Sequence, residues 1–414
     1  MRLAAARLIA LILLASCSSS KSDSHPPPPT AEAPASEASV QVSAPADDVG
    51  QASLLLARFE CNRCHEGTGL TPPPMDKQCV GCHQEILTGK MDAKAETLAA
   101  WSANLKSLPV APSLSAVGLK FRRKWIRDQL LNPVDVRPLL PASMPRLRIT
   151  EAEAETLASA LVAQEAPPET FPDLAITRGA ALFAELGCDA CHAFGNRPHR
   201  PRVINAKLGE PTQQALLLAP DLAYTRDRFQ SGRLVSWLMN PESVQPKTLM
   251  PTFNLTKTQA SSLAAYLWYS DISPVDKSPM PVRLPVLKRS VAWEEVFTSV
   301  FKTVCWHCHS SSDLARGDGG VGNTGGFGYA AKGLDLSSYE SIRSGSFGPD
   351  GRRRSVFSKD ESGTALLVRH MLARRLEVRG QVDEEHLGMP LGFPPMSAVQ
   401  IQLVESWIAQ GRPR

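Results

Sequence analysis

Ring-bearing side chains are scarce in this chain. Seven Trp, five Tyr and thirteen Phe in 414 residues leave little large, flat apolar surface for cores. A chain of this length is too long for one core, and about two to four domains are expected. Charge of one sign is lacking too. Lys and Arg number 45 against 41 Asp and Glu, a net +4, which gives no ground for a nucleic-acid partner or for binding a charged membrane surface. The apolar run Leu3 to Leu14 is too short to cross a bilayer, which needs ~20 residues. Cysteine is limited to nine residues and histidine to nine. Eight of those cysteines fall in four pairs and the ninth is Cys17, so none is left for a structural disulfide. Apolar residues at 43% and charged residues at 21% still suffice for soluble, globular domains, while 27 Gly and 34 Pro imply long loops and linkers.

The four pairs share one pattern. Cys61-Asn62-Arg63-Cys64-His65, Cys79-Val80-Gly81-Cys82-His83, Cys188-Asp189-Ala190-Cys191-His192 and Cys305-Trp306-His307-Cys308-His309 each set two thiols on one turn with His directly after. Two such thiols can each form a thioether to a haem vinyl group, and the His then lies under the iron. The pattern predicts four covalently attached haem c groups. Cys61, Cys64, Cys79, Cys82, Cys188, Cys191, Cys305 and Cys308 would attach them, and His65, His83, His192 and His309 would be the proximal ligands. Haem would also supply the flat apolar surface that the side chains lack. Zinc is the alternative, because Cys61/Cys64 and Cys79/Cys82 are spaced much like a zinc ribbon. The His after every pair argues against it. With 9 His in 414 residues, one such match has a chance of ~2%, and four are very unlikely by accident. The Arg-rich runs Lys120 to Arg127, Arg352 to Arg354 and Arg374-Arg375 are expected at the surface, solvated, pairing with propionates or docking an acidic partner.

Met1-Arg2, the apolar run and Leu14-Ala15-Ser16-Cys17 read as a secretory signal over residues 1–17. The last four resemble a bacterial lipobox, which implies cleavage before Cys17 and lipidation of its thiol, an anchor that does not span the bilayer. Ser18 at the next position resembles the outer-membrane-destined pattern. Export to the periplasmic side fits the haems, which are attached outside the cytoplasm in bacteria. Residues 18–50, rich in Ser, Pro and Ala with Pro26 to Pro29 in a row, should form a disordered or extended tether.

Residues 51–165 and 171–272 repeat one grammar. The first has a helical stretch Ala52 to Phe59, two motifs, Pro112-Ser113-Leu114, the run from Trp125 to Asn132-Pro133, and Met144-Pro145. The second has Gly179 to Leu186, one motif, Pro220-Asp221-Leu222, Leu234 to Asn240-Pro241, and Met250-Pro251. From His83 to Pro112 is 29 residues and from His192 to Pro220 is 28; from His83 to Met144 is 61 and from His192 to Met250 is 58. Thr150-x-x-Glu153 and Thr256-x-x-Gln259 are capping boxes that open a closing helix. The order of these motifs resembles a class I cytochrome c domain. The resemblance implies Met144 and Met250 as distal iron ligands. By the count from His83, the motif at Cys79 is the ordinary one and the motif at Cys61 the additional one, with Met75, Met91 and Lys106 as weak candidates for its distal ligand. The opposite assignment, His65 with Met144, stays open.

A Pro-rich linker, Ser273 to Pro285, leads to residues 286–414. There Trp293 to Val304 reads as a helix before the fourth motif, and a glycine-rich stretch from Gly317 to Gly333 as a mobile loop. Met389-Pro390 precedes a last helix ending Trp407-Ile408-Ala409-Gln410-Gly411. This stretch resembles the cytochrome c-like domains of planctomycetes and myxobacteria, which implies Met389 as distal ligand. Met396 precedes the capping box Ser397-x-x-Gln400 and reads as a hydrophobic staple. His307 is expected to point away from the iron, and His199, His370 and His386 have no spacing that singles them out.

The expected fold is mainly α, with three cytochrome c-like helical domains in tandem joined by Pro-rich linkers. The expected function is electron transfer by a lipid-anchored tetrahaem carrier between donor and acceptor proteins, with no catalytic residues and no nucleic acid. The alternative is a haem enzyme, a peroxidase or oxidoreductase subunit, using an open distal site on the haem of His65.

Overall fold

In each third of the chain, a helix that runs into a C-x-x-C-H turn packs on a helix that closes the stretch. The structure, a computed structural model, describes residues 46–105, 110–140, 144–197, 211–273, 280, 282–310, 333–348 and 350–414. The signal at 1–17 with Cys17, the tether up to residue 45, Lys106, His199 and most of the glycine-rich stretch lie outside the described residues, as does most of the Ser273 to Pro285 linker. The chain is mainly α. Its strands β1 (Ser346–Phe347) and β2 (Arg353–Arg354) pair antiparallel, Ser346 opposite Arg354 and Phe347 opposite Arg353.

The first stretch holds α1 (Ala46–Arg58), α2 (Cys79–Thr88), α3 (Ala95–Asn104), α4 (Arg123–Leu131) and α5 (Glu151–Leu161). Helix α1 begins inside the stretch expected to be a disordered tether to residue 50. It packs on α5 through Ala52, Leu55, Leu56 and Leu157. A second small cluster joins Val117, Ile126, Ala158 and Val162. These two clusters are smaller than those of the other stretches, although this stretch carries two motifs.

The second stretch holds α6 (Ala175–Glu185), α7 (Pro211–Leu218), α8 (Thr225–Arg228), α9 (Ser231–Met239), α10 (Pro241–Val244) and α11 (Lys257–Tyr269). Helices α6 and α11 cross closely at Gly179. A Cβ there would stand 2.0 Å from the Ser262 carbonyl oxygen, so any side chain would push the helices apart. Asn132-Pro133 and Asn240-Pro241 end α4 and α9, because the residue before Pro is driven out of the α region. Asn240 then caps α10, its Oδ1 accepting from Ser243 N–H at 3.2 Å.

The third stretch holds α12 (Trp293–Val296), which continues as a π-helix over Phe297–Cys305, then α13 (Tyr339–Arg343), α14 (Leu366–Glu377) and α15 (Ala398–Ala409). Its core is centred on the fully buried Trp407, against which Trp293, Phe301, Tyr339 and Phe357 pack. The capping boxes at Thr150, Thr256 and Ser397 form as their spacing predicts. Met396, 4% exposed, sits in this core with Ile401, as a staple does.

The described residues all lie within one compact unit, Val42–Arg414. Arg122 N–H donates to Arg228 O and Gln230 N–H to Lys120 O, both at 2.8 Å. The Phe121 and Phe229 rings meet edge to face at 5.4 Å. The Gln230 amide, buried, donates to Gly118 O and Phe121 O and accepts from Ala166 N–H. Between the first and third stretches, Arg146 donates to Asp383 O and Arg148 to Glu385 O. Arg374 and Arg375, expected at the surface, are each 3% exposed. Arg374 pairs with the equally buried Glu377, whose other oxygen accepts from Gly388 N–H, so that a buried guanidinium is matched by a buried carboxylate.

Candidate functional site

Three motif histidines make the same bond. His65 Nδ1 lies 2.8 Å from Pro112 O, His192 Nδ1 2.9 Å from Pro220 O, and His309 Nδ1 3.4 Å from Leu334 O. A carbonyl oxygen only accepts, so each Nδ1 carries the proton and each Nε2 keeps its lone pair for a metal. The surrounding backbone repeats as well. Each of these His N–H groups donates to the carbonyl of the motif's first Cys at 2.9 Å. Leu114, Leu222 and Leu336 N–H donate to Glu66, Ala193 and His309 O. Burial holds His65 below the usual histidine range and pushes His309 down to about 4, which keeps both imidazoles neutral, the form that binds metal.

This corrects the assignment within the first stretch. His65, not His83, bonds Pro112 and stands in register with His192. The count of 29 residues from His83 matched only because the second motif lies inside the longer span from His65 to Pro112. Cys79 to His83 form the start of α2 and adjoin the first motif. The Cys64 thiol hydrogen-bonds the Cys79 sulfur, which raises the Cys64 pKa and lowers that of Cys79. The buried Arg63 donates Nε–H to Lys77 O at 2.9 Å. The fourth motif reaches the same place. Burial pushes the Cys308 thiol up to about 12, and the Cys79 sulfur adds to that shift. The His307 ring centre lies 6.1 Å from that of His83. Cys61 and Cys188 are pushed up to about 11 and Cys305 to about 12, again chiefly by burial. The eight motif cysteines are half-buried and form no disulfide among the described residues.

Met144, Met250 and Met389 are half-buried. Met250 packs against the core of the second stretch. Met389 N–H donates to His370 O at 2.8 Å. His370 itself donates Nδ1–H to Leu387 O and is close enough to His309 to lower its pKa. His386 pairs with Asp383 instead. Met75 opens a 3-10 turn, and Met91 N–H donates to Glu85 O.

Sequence reasoning named Lys120, within the run to Arg127, but missed Arg137 and Arg228, which gather with it between the first and second stretches. Lys120 is 7% exposed, and its Nζ sits 4.9 Å over both the Phe121 and Trp237 rings. Arg137 Nε donates to Leu218 O, and Arg228 lies over the Phe121 ring. Burial, then the neighbouring guanidinium groups, push Lys120 down to about 8. Burial and Arg137 push Arg228 down to about 9. Asp135 and Asp221 offset only part of this. Arg137 also acts on His65. Asp221, whose N–H donates to Val136 O, follows the Pro220 that holds His192. Three crowded, partly desolvated cations call for an anion, and haem carries two propionates. The thiol pairs, the oriented imidazoles and these cations together fit haem c.

Residues 176–271 match the family model of cytochrome c. The match supports a c-type cytochrome, with covalently bound haem and a haem-based role in electron transfer in general. Comparison with curated proteins and with solved structures gave no match.

If the cations hold propionates, Arg137→Gln will lower the reduction potential of the haems beside His65 and His192, because removing a positive charge favours the oxidised iron. A redox titration in which no potential moves would contradict the assignment.

Proposed function

We propose that the chain is a tetrahaem c-type cytochrome that passes electrons between a donor and an acceptor protein on the periplasmic side of a bacterial membrane. The observation that carries the proposal is the shared bond of His65, His192 and His309 to a backbone carbonyl. It supports three motifs built on one plan, with the motif at Cys79 packed between two of them. When bound, haem iron supplies one-electron exchange. The eight motif cysteines would fix it, the four motif histidines would hold one axial position, and Met144, Met250 and Met389 would hold the other in three of the four. A His/Met pair raises the reduction potential and leaves no iron position for a substrate.

The enzyme alternative rested on an open position at His65. The agreement of His65 with His192 supports Met144 as the second ligand there and moves the unassigned position to the haem of His83. Among the described residues no helix is long and apolar enough to cross a membrane. The proposed attachment is the lipid on Cys17, with the outer membrane as its destination.

The exported protein is expected to titrate in four one-electron steps, with an entirely low-spin oxidised spectrum. Met250→Ala should lower one potential and remove one far-red Met–iron band. Peroxide turnover with a persistent high-spin fraction would favour the enzyme, and an unchanged band would refute Met250 as a ligand. Cys17→Ala should move the protein from the membrane to the soluble fraction; retention on membranes would rule out the lipid as its anchor.

A further inference from the structure

No methionine is allotted to the motif at Cys79 to His83. Its His83 is 8% exposed, and the ring facing it belongs to His307, an internal residue of the fourth motif. The two ring centres are 6.1 Å apart with the planes 35° from parallel. That separation has a meaning in coordination chemistry. Two imidazoles on opposite sides of one metal, each bonded at ~2 Å with ~1 Å from nitrogen to ring centre, have centres ~6 Å apart.

We infer that His307 is the second axial ligand of the haem attached at Cys79 and Cys82, opposite His83. The inference rests on the four-haem reading above. Three features of the chain favour it. Cys308, next to His307, is close enough to Cys79 to be influenced electrostatically by it, so the fourth motif lies near the second. Phe393 packs edge-on against His307 at 6.1 Å, which limits how far the ring can turn away. The hydrogen bonds of Arg146 and Arg148 to Asp383 and Glu385 brace the first stretch against the third, fixing the relative placement such a bond needs. His309, two residues on, bonds Leu334 O and serves its own haem. One C-x-x-C-H turn would therefore serve two irons, His309 for one and His307 for the other.

Two consequences follow. Without the Met that raises the potential in the His/Met sites, the His83/His307 site would have the lowest potential of the four. A coordinate bond would also tie the third stretch to the first.

The test compares the full-length, haem-loaded protein with His307→Ala and His307→Met, using haem count by intact mass, the oxidised spectrum and redox titration. Neither variant alters a C-x-x-C-H position, so both should keep four haems. His307→Ala is expected to turn one haem of the four high-spin. His307→Met is expected to restore a low-spin spectrum, add one Met–iron band and raise the lowest potential. Four haems with spectra and potentials unchanged in both variants would overturn the inference, leaving His83 and His307 as a simple ring contact. A wild-type count below four would instead refute the reading on which it rests.

Discussion

An imidazole that gives its Nδ1–H to a backbone carbonyl can offer a metal only its other nitrogen, in one direction. His65, His192 and His309 are all held this way, and the surrounding structure serves that bond. The carbonyl comes from a residue 47, 28 or 25 positions downstream, so the chain must double back over its own motif. The crossings of α1 with α5 and α6 with α11 hold the two ends of that loop. In the first stretch the loop is the longest of the three, and the additional motif at Cys79 occupies it. That placement brings Cys79 near both Cys64 and Cys308.

Charge is distributed with equal economy. Where a buried cation has a protein anion, as Arg374 has Glu377, its charge is matched within the protein. Where Lys120, Arg137 and Arg228 crowd together, Asp135 and Asp221 cannot balance them. Such an arrangement is unfavourable unless an anionic group completes it. Because the cluster straddles the first and second stretches, the group that completes it would also join them. The hydrogen bonds of Arg122 and Gln230 across the same junction place the stretches together independently of that charge.

Much of this was legible in the residues. The C-x-x-C-H turns, the capping boxes at Thr150, Thr256 and Ser397, and the Asn-Pro helix ends are local patterns, and local hydrogen bonding enforces them. Two of the failures were long-range. Counting from His83 gave the right number for the wrong histidine, since spacing cannot reveal an insertion that happens to match the loop it enlarges. His307 looked like a solvated position because its partner is more than two hundred residues away in sequence. Arg374 and Arg375 looked like surface because a charge run does not show that the helix carrying it will be buried.

The central claim is that every C-x-x-C-H turn in the chain holds a haem, including the one enclosed between two others. Intact mass and pyridine haemochrome measured on the same exported sample test it most directly. Four haems per chain, falling to three when Cys79 and Cys82 are both replaced by Ala, is the predicted result. A wild-type count unaffected by that replacement, or cysteines that bind zinc and carry no covalent haem, would contradict it.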